Sequence, residues 1–225
     1  MPSRTKKGKI GEAAVSSLLN DAGQGAVLLN DVTFINASSG MSHQIDHIYV
    51  HPHGIFVIET KNYFGLIECD EATGVWHKTI RGRKSKISSP LLQNKSHAIT
   101  LRRALKSRYP VIPVVVFVKN NAPYVPDENI INLSDLLLFI ESYPYQRLLS
   151  PSEIKEAAEA ICQASSSVTN KEHVENIRYY KQYQRELKAE ITFALERGKC
   201  PYCESPILSN GADYKCAKCS FRFKL

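Results

Sequence analysis

The chain has 225 residues, 43% hydrophobic and 23% charged, with 11 glycines and 11 prolines. That composition excludes a disordered or collagen-like chain, and no apolar stretch approaches the ~20 residues that cross a bilayer, so no membrane partner is expected. Lys plus Arg number 29 against 22 Asp plus Glu, a net charge of +7, and the excess is uneven: no acid falls between Ala72 and Pro126, a one-signed field that suits a polyanion partner.

The first residues, MPSRTKKGKIGE, are basic with no apolar core behind them. They do not read as a secretory signal, and a cytoplasmic protein is expected. Lys9–Asn20 reads as a short helix and Ala26–Ile35 as a strand. Gln44–Val50 is a second strand, Pro52-His53-Gly54 a tight turn, and Ile55–Lys61 a third strand. The third opens on the continuous apolar run IFVI, as a strand covered on both faces should. Gly65–Cys69 and Val75–Ile80 read as a further hairpin, with Arg81–Lys86 a flexible loop beyond it. Leu91–Ser107 is a helix opened by Ser89-Pro90, and Ile112–Val118 a buried strand. Ser134–Glu141 and Pro151–Ala164 read as helices. Ser165-Ser166-Ser167 breaks the pattern.

Beyond the break lies one long helix, roughly Lys171–Arg197. Val174, Ile177, Tyr180, Gln184, Leu187, Ile191 and Leu195 recur every three or four residues, and all but Gln184 are apolar. Packing on the core is the favoured reading, and a dimer through this helix is the alternative.

Six cysteines fall into two groups. Cys69 and Cys162 are isolated and read as small buried hydrophobes. Cys200-Pro-Tyr-Cys203 and Cys216-Ala-Lys-Cys219 form two CxxC knuckles joined by a segment that turns at Asn210-Gly211. Two such pairs are a tetrahedral zinc pattern, with one structural Zn²⁺.

The chemistry sits in the first half. Asp46 lies on the second strand, and Glu59-Thr60-Lys61 ends the third. Strand side chains alternate, so Glu59 and Lys61 share a face while Thr60 points away. The hairpin brings Asp46 to the same end. Two carboxylates are a hard-oxygen site suited to Mg²⁺, and a neighbouring ammonium can offset charge on a pentacovalent phosphate. His43 and His47 are expected on one face, opposite Asp46, and His97 one turn after Gln93 is a candidate phosphate contact.

Four motifs in this order resemble the nuclease-related domain family, a branch of the PD-(D/E)xK restriction-endonuclease-like superfamily. They are Gly11-Glu12, Gln44-Ile45-Asp46-His47-Ile48, Ile58-Glu59-Thr60-Lys61-Asn62 and Pro90-Leu91-Leu92-Gln93-Asn94. The residue before Asp46 is Ile45, not the proline of the superfamily's name. The last four cysteines resemble the zinc ribbon at the C-terminus of bacterial type I topoisomerases.

The resemblance implies an α/β fold with an α-β-β-β-α-β core and an inserted hairpin. It divides the chain into a nuclease-like domain (1–164), a linker and long helix (165–198) and a zinc ribbon (199–225). It implies that Asp46 and Glu59 hold Mg²⁺ or Mn²⁺, Lys61 is the catalytic lysine, Glu12 a helix-borne acid and Gln93 an amide near the scissile phosphate. Arg81, Arg83, Lys84 and Lys86 beyond the hairpin, and Lys95, Arg102, Arg103 and Lys106 on the basic helix, are the phosphate-binding candidates. In the ribbon, Tyr202, Tyr214, Phe221 and Arg222 are candidates for base stacking and backbone contact in single strands. The function expected is a metal-dependent nuclease acting on DNA, single- or double-stranded, in DNA processing, repair or defence against foreign DNA. No base-reading motif separates DNA from RNA. The alternative, from a different class, is a non-catalytic DNA-binding or protein-recruiting adaptor on the same fold.

Overall fold

The computed structural model describes residues 4–22, 25–35, 42–125, 128–144, 147–165, 170–201, 203–211, 213–219 and 222–224. The chain divides into two compact units, Met1–Val168 and Thr169–Leu225. Among the described residues no helix is long and apolar enough to cross a membrane.

In the first unit, helix α1 (Arg4–Ala22) is followed by strands β1 (Val27–Ile35), β2 (Ser42–His51) and β3 (Gly54–Lys61). Three short strands come next, β4 (Leu66–Cys69), β5 (Trp76–Ile80) and β6 (Arg83–Ile87). Helix α2 (Pro90–Ala104), strands β7 (Val111–Phe117) and β8 (Ile130–Asn132), and helices α3 (Leu136–Ser142) and α4 (Pro151–Ala164) complete it. The main sheet has the order β1-β2-β3-β7-β8. β3 pairs antiparallel with β2 and parallel with β7. The continuous apolar runs of β3 and β7 put them at its centre, where both faces are covered. One face packs Ile48, Val50, Ile55 and Val57 against Ala98 and Leu101 of α2 and Ile154, Ala157 and Ile161 of α4. The other packs Phe56, Ile58, Val114 and Val116 against Val15 and Leu19 of α1 and Leu136 and Ile140 of α3.

The expected hairpin is a three-stranded sheet, β4-β5-β6. Arg81 and Gly82 take positive φ, 49° and 75°, which is the two-residue turn that matches strand twist. The segment expected as a flexible loop is therefore this turn and β6. Trp76 anchors the sheet, stacked 6.4 Å from Phe117 of β7.

Strand alternation breaks once. Ile45 and Ile48, three positions apart, sit in the same core cluster, and the ladder between β1 and β2 skips Asp31 and Asp46. Asp31 there has φ 55°. Both strands change face at this step, so the register survives on either side of it.

α2 begins with Ser89 Oγ accepting from the Leu92 amide and Pro90 in the first turn. Its Asn94 is fully buried. Asn94 Nδ2 donates to Val57 O (2.9 Å) and Val114 O (2.8 Å), beside Pro113, which has no N–H to give the ladder. Asn94→Leu leaves two buried carbonyls unsatisfied and is expected to cost about 2–3 kcal/mol, read as a lower urea midpoint at unchanged m-value.

The second unit holds helix α5 (Asn170–Glu196) and strands β9 (Ile207–Asn210), β10 (Asp213–Cys216) and β11 (Arg222–Lys224), in the order β11-β10-β9. Ile191 and Leu195, at the end of α5, are buried against Cys200 and Cys216, with Ile207, Tyr214 and Phe223 around them. Further up the expected stripe Ile177 is half-buried, while the side chains of Val174, Tyr180, Gln184 and Leu187 lie outside the described residues.

Candidate functional site

The C-terminal end of β3 gathers the charged groups expected there. Glu59 is buried at 2% exposure. Its Oε1 is bound by Lys61 Nζ on the same strand face. Lys61 Nζ also donates to Gln93 Oε1 of α2 at 3.3 Å. Asp46 Oδ2 accepts the Thr60 amide at 2.8 Å, which fixes that carboxylate across the β2–β3 pair. Glu12 of α1 is close enough to be perturbed by Asp46, Asp31 and Lys61. Gly11 permits this approach: a Cβ there would stand 2.8 Å from Asn62 Cβ and 3.3 Å from Thr60 Cγ2. All five residues expected at the centre are thus brought to one strand end.

The electrostatics are those of crowded acids. Burial, then repulsion from Glu59, pushes the Asp46 carboxyl up to about 7, against the Thr60 amide and Lys61. Burial and the nearby Asp46 raise Glu12. Burial raises Glu59 too, with Lys61 opposing. Burial works against the charge of Lys61, yet the Glu59 carboxylate holds it above its ordinary value. Glu59 Oε2 is buried and makes no hydrogen bond among the described residues. His97 Nδ1 of α2 lies 3.5 Å from it.

The histidines part company. His43 meets His97 edge-on, ring centres 5.9 Å apart, on the Glu59 side. His47 lies on the other face: Nδ1 is 2.7 Å from Asn30 Oδ1 and Nε2 is 3.1 Å from Thr60 Oγ1. The expectation that they share a face fails because alternation is interrupted between them, at Asp46. Burial lowers the His47 pKa to about 4. A neutral buried imidazole that becomes protonated on unfolding makes stability rise with pH between about 4 and 6.5. Acidification from pH 7 to 4 is therefore expected to cost about 3 kcal/mol at this residue. Urea unfolding across that range should show a shallower slope for His47→Gln than for the parent.

The basic residues do not form one track. Lys95 is paired to Glu128 at 2.7 Å. Arg102 donates to Val111 O at 2.6 Å, at the start of β7 beside Ile55, so it stands at the opposite end of β3 from Lys61. Arg103 and Lys106 are exposed. Arg81, Arg83, Lys84 and Lys86 are exposed on the β5–β6 hairpin, with Lys84 paired to Glu68 at 3.4 Å. Between this sheet and the acid cluster stands Tyr63, a residue the motifs passed over. Lys61 Nζ lies 5.9 Å and Lys78 Nζ 5.3 Å from its ring centre.

In the second unit the Sγ atoms of Cys200, Cys203, Cys216 and Cys219 all lie within 4.8 Å of one another. Among the described residues this is the one cluster of three or more ligand side chains with such spacing. The amides of Cys219 and Lys218 each donate to Cys216 Sγ at 3.3 Å and lower its pKa. The Ser205 hydroxyl and amide bring Cys203 down to about 6. Four cysteine sulfurs this close can bind a zinc ion. Of the remaining cysteines Cys69 is half-buried, and Cys162, expected in a core, is exposed. The outer residues of α4 face solvent at that position.

The ribbon sheet carries a groove of about 700 Å³ lined by Leu208, Tyr214, Lys215, Arg222 and Phe223. Tyr214 also packs into the cluster around the cysteines. Tyr202 and Phe221 lie outside the described residues.

The nuclease-related domain family model matches residues 7–118, which run from α1 to the end of β7 and take in every residue of the acid cluster. An uncharacterized protein of Bacillus anthracis is 32% identical over 143 residues, 61% of this chain and 67% of that relative. No solved structure matches the chain. The match and the mixed sheet that presents Glu59 and Lys61 at the C-terminal end of its central strand agree, and the chain belongs to the nuclease-related domain family.

Proposed function

We propose that the protein is a divalent-metal-dependent nuclease that hydrolyses DNA phosphodiester bonds, with the zinc ribbon aiding nucleic-acid binding. The observation that carries this reading is the convergence of Glu12, Asp46, Glu59 and Lys61 at one strand end, with Gln93 on Lys61. Three carboxylates raised by burial and then by one another's charge, and a buried Glu59 oxygen with no hydrogen bond among the described residues, are a poor arrangement for a merely structural corner. The donor set fits a hard cation, Mg²⁺ or Mn²⁺, held by Asp46 and Glu59 with Glu12 beside them. Bound there, such an ion supplies Lewis acidity towards the phosphate.

The chain's own groups do the rest. The Thr60 amide keeps Asp46 in place. Glu59 keeps Lys61 protonated, so that the ammonium offsets charge building on the phosphate in the transition state. Gln93 Oε1 restrains the direction of that ammonium. The complete set of acids and lysine speaks against the adaptor reading.

Labelled single- and double-stranded DNA, and RNA of the same sequence, incubated with Mg²⁺ or Mn²⁺ provide the test. Cleavage that chelation abolishes is expected for at least one DNA substrate. Binding without cleavage in either metal would replace this reading by the adaptor, and cleavage of RNA alone would change the substrate.

A further inference from the structure

The segment that leaves the acid cluster is braced and yet displays apolar side chains. Directly after Lys61, Asn62 Nδ2 donates to Lys7 O of α1 at 2.8 Å. The Tyr63 ring packs against Phe117, centres 6.2 Å apart. Asn121 Nδ2 donates to both Tyr63 O (3.2 Å) and Gly65 O (2.6 Å). Gly65 has φ +94°, and a Cβ there would lie 2.3 Å from Thr79 O, so the backbone is locked in a shape that only glycine accepts. On this rigid support Phe64 is 70% exposed; Leu66 at the start of β4 is 59% exposed and Ile80 at the end of β5 36%. Single exposed apolar residues need no explanation, but a large exposed ring held on a braced loop offers a fixed flat face to a ligand.

The surroundings select the occupant. Lys78 stands over Tyr63, and Arg81 and Arg83 are exposed at the near end of the β5–β6 hairpin. The acids of the β4–β5 turn, Asp70 and Glu71, lie at the far end of that sheet, where Cys69 pairs with Trp76. An exposed apolar ring next in sequence to Tyr63, over which Lys61 and Lys78 stand, is complementary to a base and its phosphates.

Resting on the nuclease reading, we infer that Phe64 is a base-stacking residue that receives an unpaired base beside the scissile phosphate, which makes single-stranded or locally open nucleic acid the preferred substrate. Base stacking on an aromatic ring tolerates any sequence, and a loop braced beforehand loses little freedom when the base arrives. Fully paired DNA has no free base to offer this ring.

The test measures binding in the Lys61→Ala background, so that cleavage does not interfere, with a fluorescent single strand and its fully paired duplex in Mg²⁺. Phe64→Ala is expected to weaken single-strand binding about tenfold and duplex binding by less than about twofold, at unchanged salt dependence. Phe64→Trp restores single-strand affinity, and its added indole emission is quenched by the bound strand. Single-strand affinity unchanged in Phe64→Ala would overturn the assignment, as would Phe64→Leu binding as tightly as Phe64→Trp. Phe64→Ala weakening both forms alike would also overturn it. If the parent cuts DNA while any of these holds, only this inference falls. If the parent neither binds nor cuts any of these strands, the nuclease reading falls with it.

Discussion

Lys61→Ala is expected to reduce metal-dependent cleavage by about 10²–10⁴-fold while leaving DNA affinity within a few-fold. Asp46→Ala and Glu59→Ala should lose as much or more. The lysine substitution also strips Glu59 of the partner on its Oε1, and a buried carboxylate left alone is costly, about 3 kcal/mol or more unless it takes up a proton. Lost activity must therefore be separated from lost fold. The double substitution Glu59→Gln with Lys61→Ala removes both charges. It should recover much of the stability and none of the activity, and the coupling between the two sites is read from unfolding midpoints of all four proteins. A Lys61→Ala protein that cuts DNA at the parental rate would dismiss the lysine from the chemistry.

Removal of zinc has the other large expected effect, and it falls on the second unit. Among the described residues the core there is four thiols with Ile191, Leu195, Ile207, Tyr214 and Phe223, little apolar surface for a sheet of three short strands. Metal binding to such a set is folding free energy, about 10–16 kcal/mol in comparable sites. Metal analysis should find one zinc per chain. Chelation, or Cys216→Ser, should melt β9–β11 and the last turn of α5, leaving the thermal transition of the first unit unchanged. A full-length protein that purifies folded and without zinc would defeat this. Deleting residues 199–225 should leave some cleavage at high enzyme concentration and weaken single-strand binding.

Some of this was plain in the residues and some was not, for physical reasons. The apolar run ending in Glu59-Thr60-Lys61 announced a central strand with two charges on one face, because period-two alternation is imposed by the backbone. The CxxC pairs were equally direct, since few other roles need that spacing. β6 was missed because an exposed strand of Arg, Lys and Ser carries no apolar alternation, and its evidence is a turn with positive φ at Arg81, a residue that rarely adopts it. β8 and β11 span three residues each, too short for any periodicity. Simple alternation misplaces His43 because the change of face at Asp31 and Asp46 is a property of two strands together. The pairing of Lys95 with Glu128, and of Arg102 with a carbonyl, depends on contacts distant in sequence. Asn94 sat inside a quoted motif, yet its work, two carbonyls beside Pro113, is visible only when β3 and β7 are side by side.

The contact at Gly11 sets a mechanical tolerance. With hydrogen alone at that position, α1 rests directly on the side chains of Thr60, Asn62 and Val118 with no spacer between them. Glu12 rides on the same turn, so the starting point of its side chain relative to Asp46 is set by how closely the helix sits on β3. Even a methyl at residue 11 acts as a shim: it must lift the helix, and Glu12 lifts with it. Because a constellation of charged groups tolerates only about 0.5 Å of error, a displacement small in packing energy is large in function. Gly11 thus works as the gauge against which the whole cluster is aligned.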